Sequence, residues 1–390
     1  MKGDLVRTEY IDKLSESKGE NGTVKVLTGM RRCGKTSVLE QYVSYLRDAG
    51  VPDSDIIYLD FDKRSGQEYS DSVRLDAYFA GRLSKERQTH VLLNNICHVR
   101  DWNQSVLKLL SFGNCDLYLC EPTVGPIVDA ISEFRSDVKV KEVKVYPLSF
   151  KEYVAKYPTD DVDALFRDYA VLGGMPDVDP SMGERRCDDQ LEGILNTIVL
   201  HDLVLKAKDD PRTVLDVAKY VYTHIGELVS VADIAKACRI SSGSAERILS
   251  DLESAYLVCR ADRYDVNMGR IKEHPFVLYA TDNGLRDFAL RYDTEISFKV
   301  AMENIVYLEL KRRGYRVRAG SVHESGVSFT ALKGNDPEYY IIAPSVDVAE
   351  SCGVKDIIDN GNKIMLTMDR NVPAGCGNAK LINICDWLLG

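Results

Sequence analysis

The first 150 residues alternate between short apolar runs and amphipathic stretches. Val24, Val26 and Leu27 read as a short buried strand, and Ile56-Ile57-Tyr58-Leu59-Asp60-Phe61-Asp62 as a second one that ends in acids. Val91-Leu92-Leu93-Asn94-Asn95-Ile96, Leu117-Tyr118-Leu119-Cys120 and residues 138–145 give three more. Helical character fills the gaps at 37–42, 75–87 and 103–110, and a short helix over 4–18 leads in. Strands alternating with helices predict an α/β fold, a parallel sheet with crossover helices and a ligand site at the carboxyl ends of its strands.

The pattern changes after residue 150. Residues 151–210 are helical in period, with one break at Gly173-Gly174-Met175-Pro176. Three helices fit 211–260, and the last two read as a helix-turn-helix. Ser230 caps the helix 231–238 with Asp233 as reciprocal partner. Residues 239–243 turn, 244–256 form the second helix, and 257–264 supply a wing strand. From 276 onward a helix (298–313) mixes with strands at 315–318, 339–342 and 364–367, and the chain ends in a helix at 384–389.

The densest chemistry lies between the first strand and its helix, at Gly29-Met30-Arg31-Arg32-Cys33-Gly34-Lys35-Thr36, followed by Ser37. Gly29 and Gly34, five positions apart, let the backbone turn tightly and present N–H groups to phosphate oxygens. The helix N-terminus adds free amides and the positive end of its dipole. Lys35 is placed to reach the β- and γ-phosphates, and the Thr36 hydroxyl to ligate Mg²⁺. The pattern is a complete phosphate-binding loop in its required strand–helix context.

Composition narrows the classes. A chain of 390 residues has room for two to four domains. A formal net charge of −10 gives no overall basic footprint for nucleic acid or anionic membrane. No apolar run is long enough for a membrane span, and the N-terminus lacks the apolar core of a signal peptide. The ten cysteines are scattered without a CxxC pair or zinc spacing, and are expected to be reduced thiols of a cytoplasmic protein.

An ordered set of phrases runs over nearly the whole chain: Val26 to Thr36, Tyr146-Pro147-Leu148-Ser149-Phe150, Gly173-Gly174-Met175-Pro176, His201-Asp202-Leu203, Leu252-Glu253-Ser254-Ala255-Tyr256, Asp282-Asn283-Gly284-Leu285-Arg286, Glu303-Asn304-Ile305-Val306-Tyr307 and Arg313-Gly314-Tyr315. In these the chain resembles a prokaryotic family of AAA+-type P-loop ATPases with a C-terminal restriction-endonuclease-like domain. The resemblance implies an AAA+-like nucleotide-binding domain at 1–155, a helical lid at 156–210, a winged helix at 211–270 and a nuclease-like α/β domain at 271–390. It also implies ATP and Mg²⁺ as cofactors.

The departures from that family bear on function. Its third strand ends in Asp-Glu, which hold the Mg²⁺ shell and activate water; here it ends in Asn94-Asn95. A carboxamide can accept a hydrogen bond but carries no charge and takes no proton. Loss of a general base costs ~10²–10⁴-fold. The fourth strand ends Cys120-Glu121-Pro122, and the family's Phe-Arg-Gly-Arg phrase appears as Phe134-Arg135-Ser136-Asp137. In the nuclease-like segment Glu303 keeps an acid, but Ser328 replaces a metal-binding Asp, and Tyr339-Tyr340-Ile341-Ile342 lacks a catalytic Lys.

The sequence thus predicts an ATP-binding switch with weak or absent hydrolysis and no nuclease chemistry. Asn94 and Asn95 are its degenerate catalytic positions, and residues 29–37 hold the nucleotide. Two alternatives stay open: a working ATPase in which Asn94, Asn95 and Glu121 replace the usual acids, and a DNA-associated protein acting through the winged helix. Asp60 and Asp62 are expected to be solvated strand-end acids on a strand away from the P-loop. Glu246, Asp251 and Glu253 oppose DNA phosphates around Arg247, which favours a structural or protein-binding winged helix, with Lys236, Arg239, Arg260 and Arg263 as a modest basic patch. His98, His201 and His224 have no ligand spacing and read as solvated or core histidines.

Overall fold

The computed structural model describes residues 5–123, 125–133, 137–204, 210–265, 270–290, 297–320, 327–334, 336–347, 361–370 and 379–390. The chain divides into two compact units, Met1–Tyr146 and Pro147–Gly390.

The N-terminal unit is organised on five parallel strands: β1 (Thr23–Thr28), β2 (Ile56–Asp60), β3 (Thr89–Asn94), β4 (Cys115–Cys120) and β5 (Lys139–Lys144). Their order is β2-β3-β4-β1-β5. β1, β3 and β4 are buried along their whole length, which is why their sequences read as apolar runs rather than alternations. Val24, Val26, Val91, Leu93, Leu117 and Leu119 share one core cluster with Leu75, Phe79, Val106 and Leu109 of the crossover helices Ser72–Ala80 and Trp102–Phe112. The order puts β1 beside β4 and β4 beside β3, so the carboxyl ends of these three strands meet at one edge. β2 lies at the sheet margin, as expected. Two local limits differ from the sequence reading. The helix expected to reach residue 87 stops at Ala80, and the strand expected to reach Ile96 stops at Asn94 because Asn95 turns left-handed at φ 57°.

At the opposite edge the buried strands hold a charged network. Lys25 Nζ donates to Asp116 Oδ1 at 2.5 Å, both side chains being fully buried. The other carboxylate oxygen receives the Gly19 N–H (3.0 Å) and the Tyr118 hydroxyl (2.9 Å), and pairs with His90 Nδ1 at 2.8 Å. Burial pushes the Asp116 carboxyl up, but hydrogen bonds from His90 and Lys25 outweigh it and hold the group below the usual aspartate range. The network ties β1, β3, β4 and the turn at Gly19 together.

Among its described residues the C-terminal unit has eight strands: β6 (Leu228–Val229), β7 (Val258–Asp265), β8 (Arg270–Ala280), β9 (Arg316–Gly320), β10 (Phe329–Lys333), β11 (Asp336–Ile342), β12 (Asn362–Thr367) and β13 (Ala379–Asn383), in the order β13-β12-β11-β10-β9-β7-β8-β6. β6 and β7 pair antiparallel with β8, and precede or follow the helices Pro211–Thr223, Val231–Cys238 and Ser242–Ser254. The Ser230–Asp233 capping box is present. The helix Phe298–Arg312 leads into β9, β10 and β11, which are antiparallel neighbours, and β12 and β13 then add in parallel. β7 joins β9 in parallel through Arg263 and Tyr264, making one sheet.

Three of the resembling phrases meet in this unit. Asp282 Oδ2 accepts from Gly174 N at 2.8 Å and Oδ1 from Leu285 N at 3.0 Å. A Cβ on Gly173 would lie 2.3 Å from the Asp282 carboxylate, and one on Gly284 would lie 2.0 Å from the Leu172 carbonyl oxygen. Asn304 bonds the Ala280 backbone through both its amide atoms (2.8 Å each) and donates to Asn283 Oδ1 at 2.8 Å.

The Lys25–Asp116 network sets a stability expectation. Asp116→Asn leaves a buried ammonium without its counter-charge and costs the N-terminal unit about 3–5 kcal/mol. Because the folded-state value of Asp116 is depressed, its contribution is present above the ordinary 3.8 and fades as pH falls through the lower folded value. Urea unfolding followed by Trp102 fluorescence in a Trp387→Phe background measures both.

Candidate functional site

The loop that leaves β1 is shaped by two glycines. Gly29 sits at φ 139°, and a Cβ there would lie 2.1 Å from the Val145 carbonyl oxygen, so no larger residue fits. Gly34 caps the helix Lys35–Asp48 in left-handed conformation at φ 98°. Arg32 is also left-handed (φ 61°), a strained geometry for a side chain of its size. Met30 and Cys33 are buried, and Cys33 Sγ donates to Val145 O at 3.2 Å. Arg32 and Ser37 are exposed, and Arg31 and Thr36 are half-buried. Lys35 is buried, and its ammonium lies inside the loop, donating to the carbonyl oxygens of Gly29 (2.8 Å) and Met30 (2.9 Å).

Sequence reasoning missed Arg7. Its buried guanidinium donates to the carbonyl oxygens of Cys33 and Tyr146, each at 3.0 Å, while its N–H donates to Gln41 Oε1 at 2.9 Å. One arginine thus braces the loop against the end of the sheet. A cation in a short leader helix carries no local signal of such a role.

Asn94 and Asn95 separate. Asn94 is buried, and its Nδ2 donates to the Thr36 hydroxyl oxygen at 3.3 Å. Its Oδ1 is buried and, among the described residues, has no hydrogen-bond partner. Asn95 points the other way: its Nδ2 donates to Asp62 Oδ2 at 2.5 Å. The second Asp62 oxygen lies 3.1 Å from His98 Nδ1. The solvated strand-end reading fails for Asp60, which is buried and accepts from Asp62 N at 3.1 Å. Asp62 is about half exposed but is engaged by Asn95 and His98. His98 is about half exposed, as a solvated histidine is, and lies 3.1 Å from Asp62 Oδ1.

Glu121 is only 2% exposed, and its Oε1 accepts from Cys97 N at 3.0 Å. Its carboxylate thus caps the turn Ile96–His98 that follows Asn95. Burial pushes the Glu121 carboxyl up to about 7 despite the hydrogen bonds from the backbone of Cys97 and Ile96. Of the Phe134-Arg135-Ser136 phrase, all three residues lie outside the described residues.

In the C-terminal unit Ser328 Oγ donates to Glu303 Oε1 at 2.9 Å, so the two positions singled out in the sequence are neighbours. Burial raises the Glu303 carboxyl, and Lys299 Nζ stands 3.9 Å away. Tyr339 to Ile342 are buried. Among the described residues no group of three or more His, Cys, Asp or Glu is placed to hold a metal ion. Arg260, expected in a basic patch, is paired with Glu246 (3.1 Å) and Glu253 (2.9 Å). The eight cysteines among the described residues are free thiols, and no helix there is long and apolar enough to cross a membrane.

Residues 21–154 match the family model of an AAA domain, and residues 163–295 match a domain of unknown function (DUF8612). An uncharacterized protein of Haemophilus influenzae is 28% identical over 100% of this chain and 99% of its own length. An uncharacterized protein of Methanocaldococcus jannaschii is 21% identical over 89% of this chain and 78% of its own. A solved structure of Cdc6p from Pyrobaculum aerophilum is 9% identical at a TM-score of 0.33, covering 77% of this chain and 93% of that one. The segment that matches the AAA-domain model carries the five-stranded parallel sheet and the phosphate-binding-loop sequence at Gly29 to Thr36.

Glu121 gives the site a pH signature. Its folded value lies above the ordinary 4.5, so the folded state binds more protons between 4.5 and about 7, and the stability of the N-terminal unit falls as pH rises across that window. Glu121→Gln flattens that slope, by on the order of 3 kcal/mol across the window. Paired urea titrations at pH 5 and pH 7.5 measure it.

Proposed function

We propose that the protein is an ATP-dependent switch. It binds Mg-ATP through residues Gly29 to Ser37, hydrolyses it slowly, and passes its bound state to a helical lid (156–210) and the C-terminal half. The observation that carries this reading is the contact of Asn94 with Thr36 at the end of β3. A neutral amide stands there in place of an acid, so the phosphate cradle is kept while charge and proton affinity at its catalytic edge are lost.

Mg²⁺ fits the residues present. Thr36 Oγ1 would ligate the ion, and the Asn94 carbonyl oxygen, buried and unpartnered, would accept from its water shell. The ion would screen the phosphate charge. Lys35, now bonded to loop carbonyls, is positioned to exchange these for phosphate oxygens, and Arg7 keeps the loop in shape. ATP rather than another triphosphate rests on the family resemblance.

The segments 211–270 and 271–390 are read as a winged helix and a restriction-endonuclease-like domain. The run of a helix, three antiparallel strands and further parallel strands supports the second assignment. One buried carboxylate beside a serine is a poor Mg²⁺ site, so nuclease chemistry is not proposed. Arg260 of β7, paired to two acids of the helix Ser242–Ser254, favours a protein partner over DNA for the winged helix.

Titration with a fluorescent ATP analogue in Mg²⁺, together with phosphate release on the full chain, tests the switch. Saturable binding is expected, weakened at least about tenfold by Lys35→Ala. The double substitution Asn94→Asp, Asn95→Glu restores the acids and is expected to raise release ~10²-fold or more. Absence of binding, or wild-type release at about 1 s⁻¹ or faster, overturns the reading.

A further inference from the structure

We infer that Asp60 of β2 supplies, from the strand next to Asn94, the negative charge that draws Mg²⁺ to the bound triphosphate, and that Lys63 covers this carboxylate until the ion arrives; this rests on the nucleotide-binding reading above. Asp60 and Asn94 are register partners in the parallel pair of β2 with β3. Neighbouring strands lie roughly 4.8 Å apart, so the side chains of register partners stand beside each other on one face. The alternation along the strands shows which face. Ile57 and Leu59 join the apolar cluster that holds Val91 and Leu93. Tyr58 and Asp60 therefore project the other way, as does Asn94. That face is covered by the helix Lys35–Asp48: the Tyr58 hydroxyl donates to Glu40 Oε1 at 3.2 Å, and Asn94 Nδ2 to the Thr36 hydroxyl oxygen at 3.3 Å.

The carboxylate is buried and loosely answered. Asp60 is 5% exposed; its Oδ1 accepts from Asp62 N at 3.1 Å, and its Oδ2 has Lys63 Nζ at 3.6 Å, longer than a direct hydrogen bond. Cys120, the register partner of Asn94 on its other side, feels the same corner. Burial pushes its thiol up, the Lys35 ammonium lowers it, and the Asp60 carboxylate raises it. A second observation points to a ligand: Asn94 Oδ1 is buried and, among the described residues, without a partner. A buried carboxylate with a distant counter-charge and a buried acceptor with no donor thus stand on neighbouring strands beside Thr36. A hydrated cation answers both, since Mg²⁺ keeps several waters and their protons are donors. The water shell suits Asp60, which lies one strand farther from the loop than Asn94. The neighbouring acids are engaged elsewhere, Glu121 by the Cys97 amide and Asp62 by Asn95.

Lys63 is the exchangeable counter-charge. Its ammonium donates to Glu40 Oε1 at 2.7 Å, and its side chain is 56% exposed, so it can leave Asp60 without leaving its other acid or water. Replacing one cation by another keeps the buried carboxylate compensated in both states, which removing Lys63 with no ion present would not. The charge absent from β3 at Asn94 is in this way supplied from β2.

The test uses the full chain and reads the affinity of a fluorescent ATP analogue in excess Mg²⁺ and in EDTA. The ratio of the two measures how strongly ion and nucleotide favour each other. The wild type is expected to bind more tightly in Mg²⁺. Asp60→Asn is expected to lower the ratio at least about fivefold through opposite changes: weaker binding in Mg²⁺, and equal or tighter binding in EDTA, where no carboxylate then repels the phosphates. Lys63→Gln, at an exposed position, is expected to raise the ratio about twofold or more by removing the competing cation. Asp62→Asn is expected to leave it unchanged. A wild-type ratio in Asp60→Asn overturns the inference, as does an equal loss in Asp62→Asn. If Asp60→Asn weakens binding in both buffers, as a folding defect would, Lys63→Gln decides, and a ratio it leaves unchanged or lowers overturns the inference. Wild-type binding indifferent to Mg²⁺ overturns it while leaving nucleotide binding standing; absence of binding in either buffer removes both.

Discussion

A buried amide in contact with a threonine hydroxyl governs the nucleotide edge of this protein. The strand order brings the ends of β1, β3 and β4 together, so whatever stands at Asn94 must share a dry corner with Thr36. A carboxylate in that corner is costly to desolvate unless a cation or several donors answer it. The amide avoids that cost, so the corner is stable without a bound ion. The neutral amide also brings no negative charge that would draw a divalent cation in. The amide's oxygen, left without a partner, keeps a weaker acceptor in the same place. The trade is between a self-sufficient fold and a strongly charged site, and this chain lies on the side of the fold.

The opposite edge of the sheet solves the reverse problem. Lys25 and Asp116 are buried on β1 and β4, and there the charges are retained because each answers the other. Asp116 receives donors from four residues, enough to hold it ionised against desolvation. Glu121 shows what happens with fewer: two amides on a nearly inaccessible carboxylate leave it pushed up to about 7. The contrast between two acids on the same strand and its tip is set by donor count and donor charge rather than by depth.

What the sequence made legible was whatever local pattern encodes. The five strands of the parallel sheet, the glycines and Lys-Thr of the loop, and the Ser230–Asp233 box are each specified within a few residues of chain. β8 was missed because its first half is polar and Pro275 sits within it, so it lacks the apolar run of a central strand. Arg7 and Asp60 were illegible for a different reason. Their roles come from partners on other elements, and burial of Asp60 depends on the strand order, which residue spacing does not give. Charge patterning failed in the same way at Arg260, where a cation counted toward a basic patch is neutralised by acids facing it across the turn.

The phrases that carry the family resemblance divide by physical role once they are placed. Gly173-Gly174, Asp282-Asn283-Gly284 and Asn304 interlock: glycines sit where a Cβ would strike backbone or carboxylate, and the amide and acid side chains satisfy buried N–H and C=O groups. Replacing one member leaves a buried polar group unanswered, at about 1–3 kcal/mol each. Glu303 and Ser328 belong to the other kind. They touch each other, but nothing in the packing of the unit requires a second carboxylate beside them. Asp282 is a strongly perturbed acid, raised by burial to about 6, yet its neighbours are backbone amides of the turn it holds together. In this chain a perturbed carboxylate marks architecture at Asp282 and Glu121.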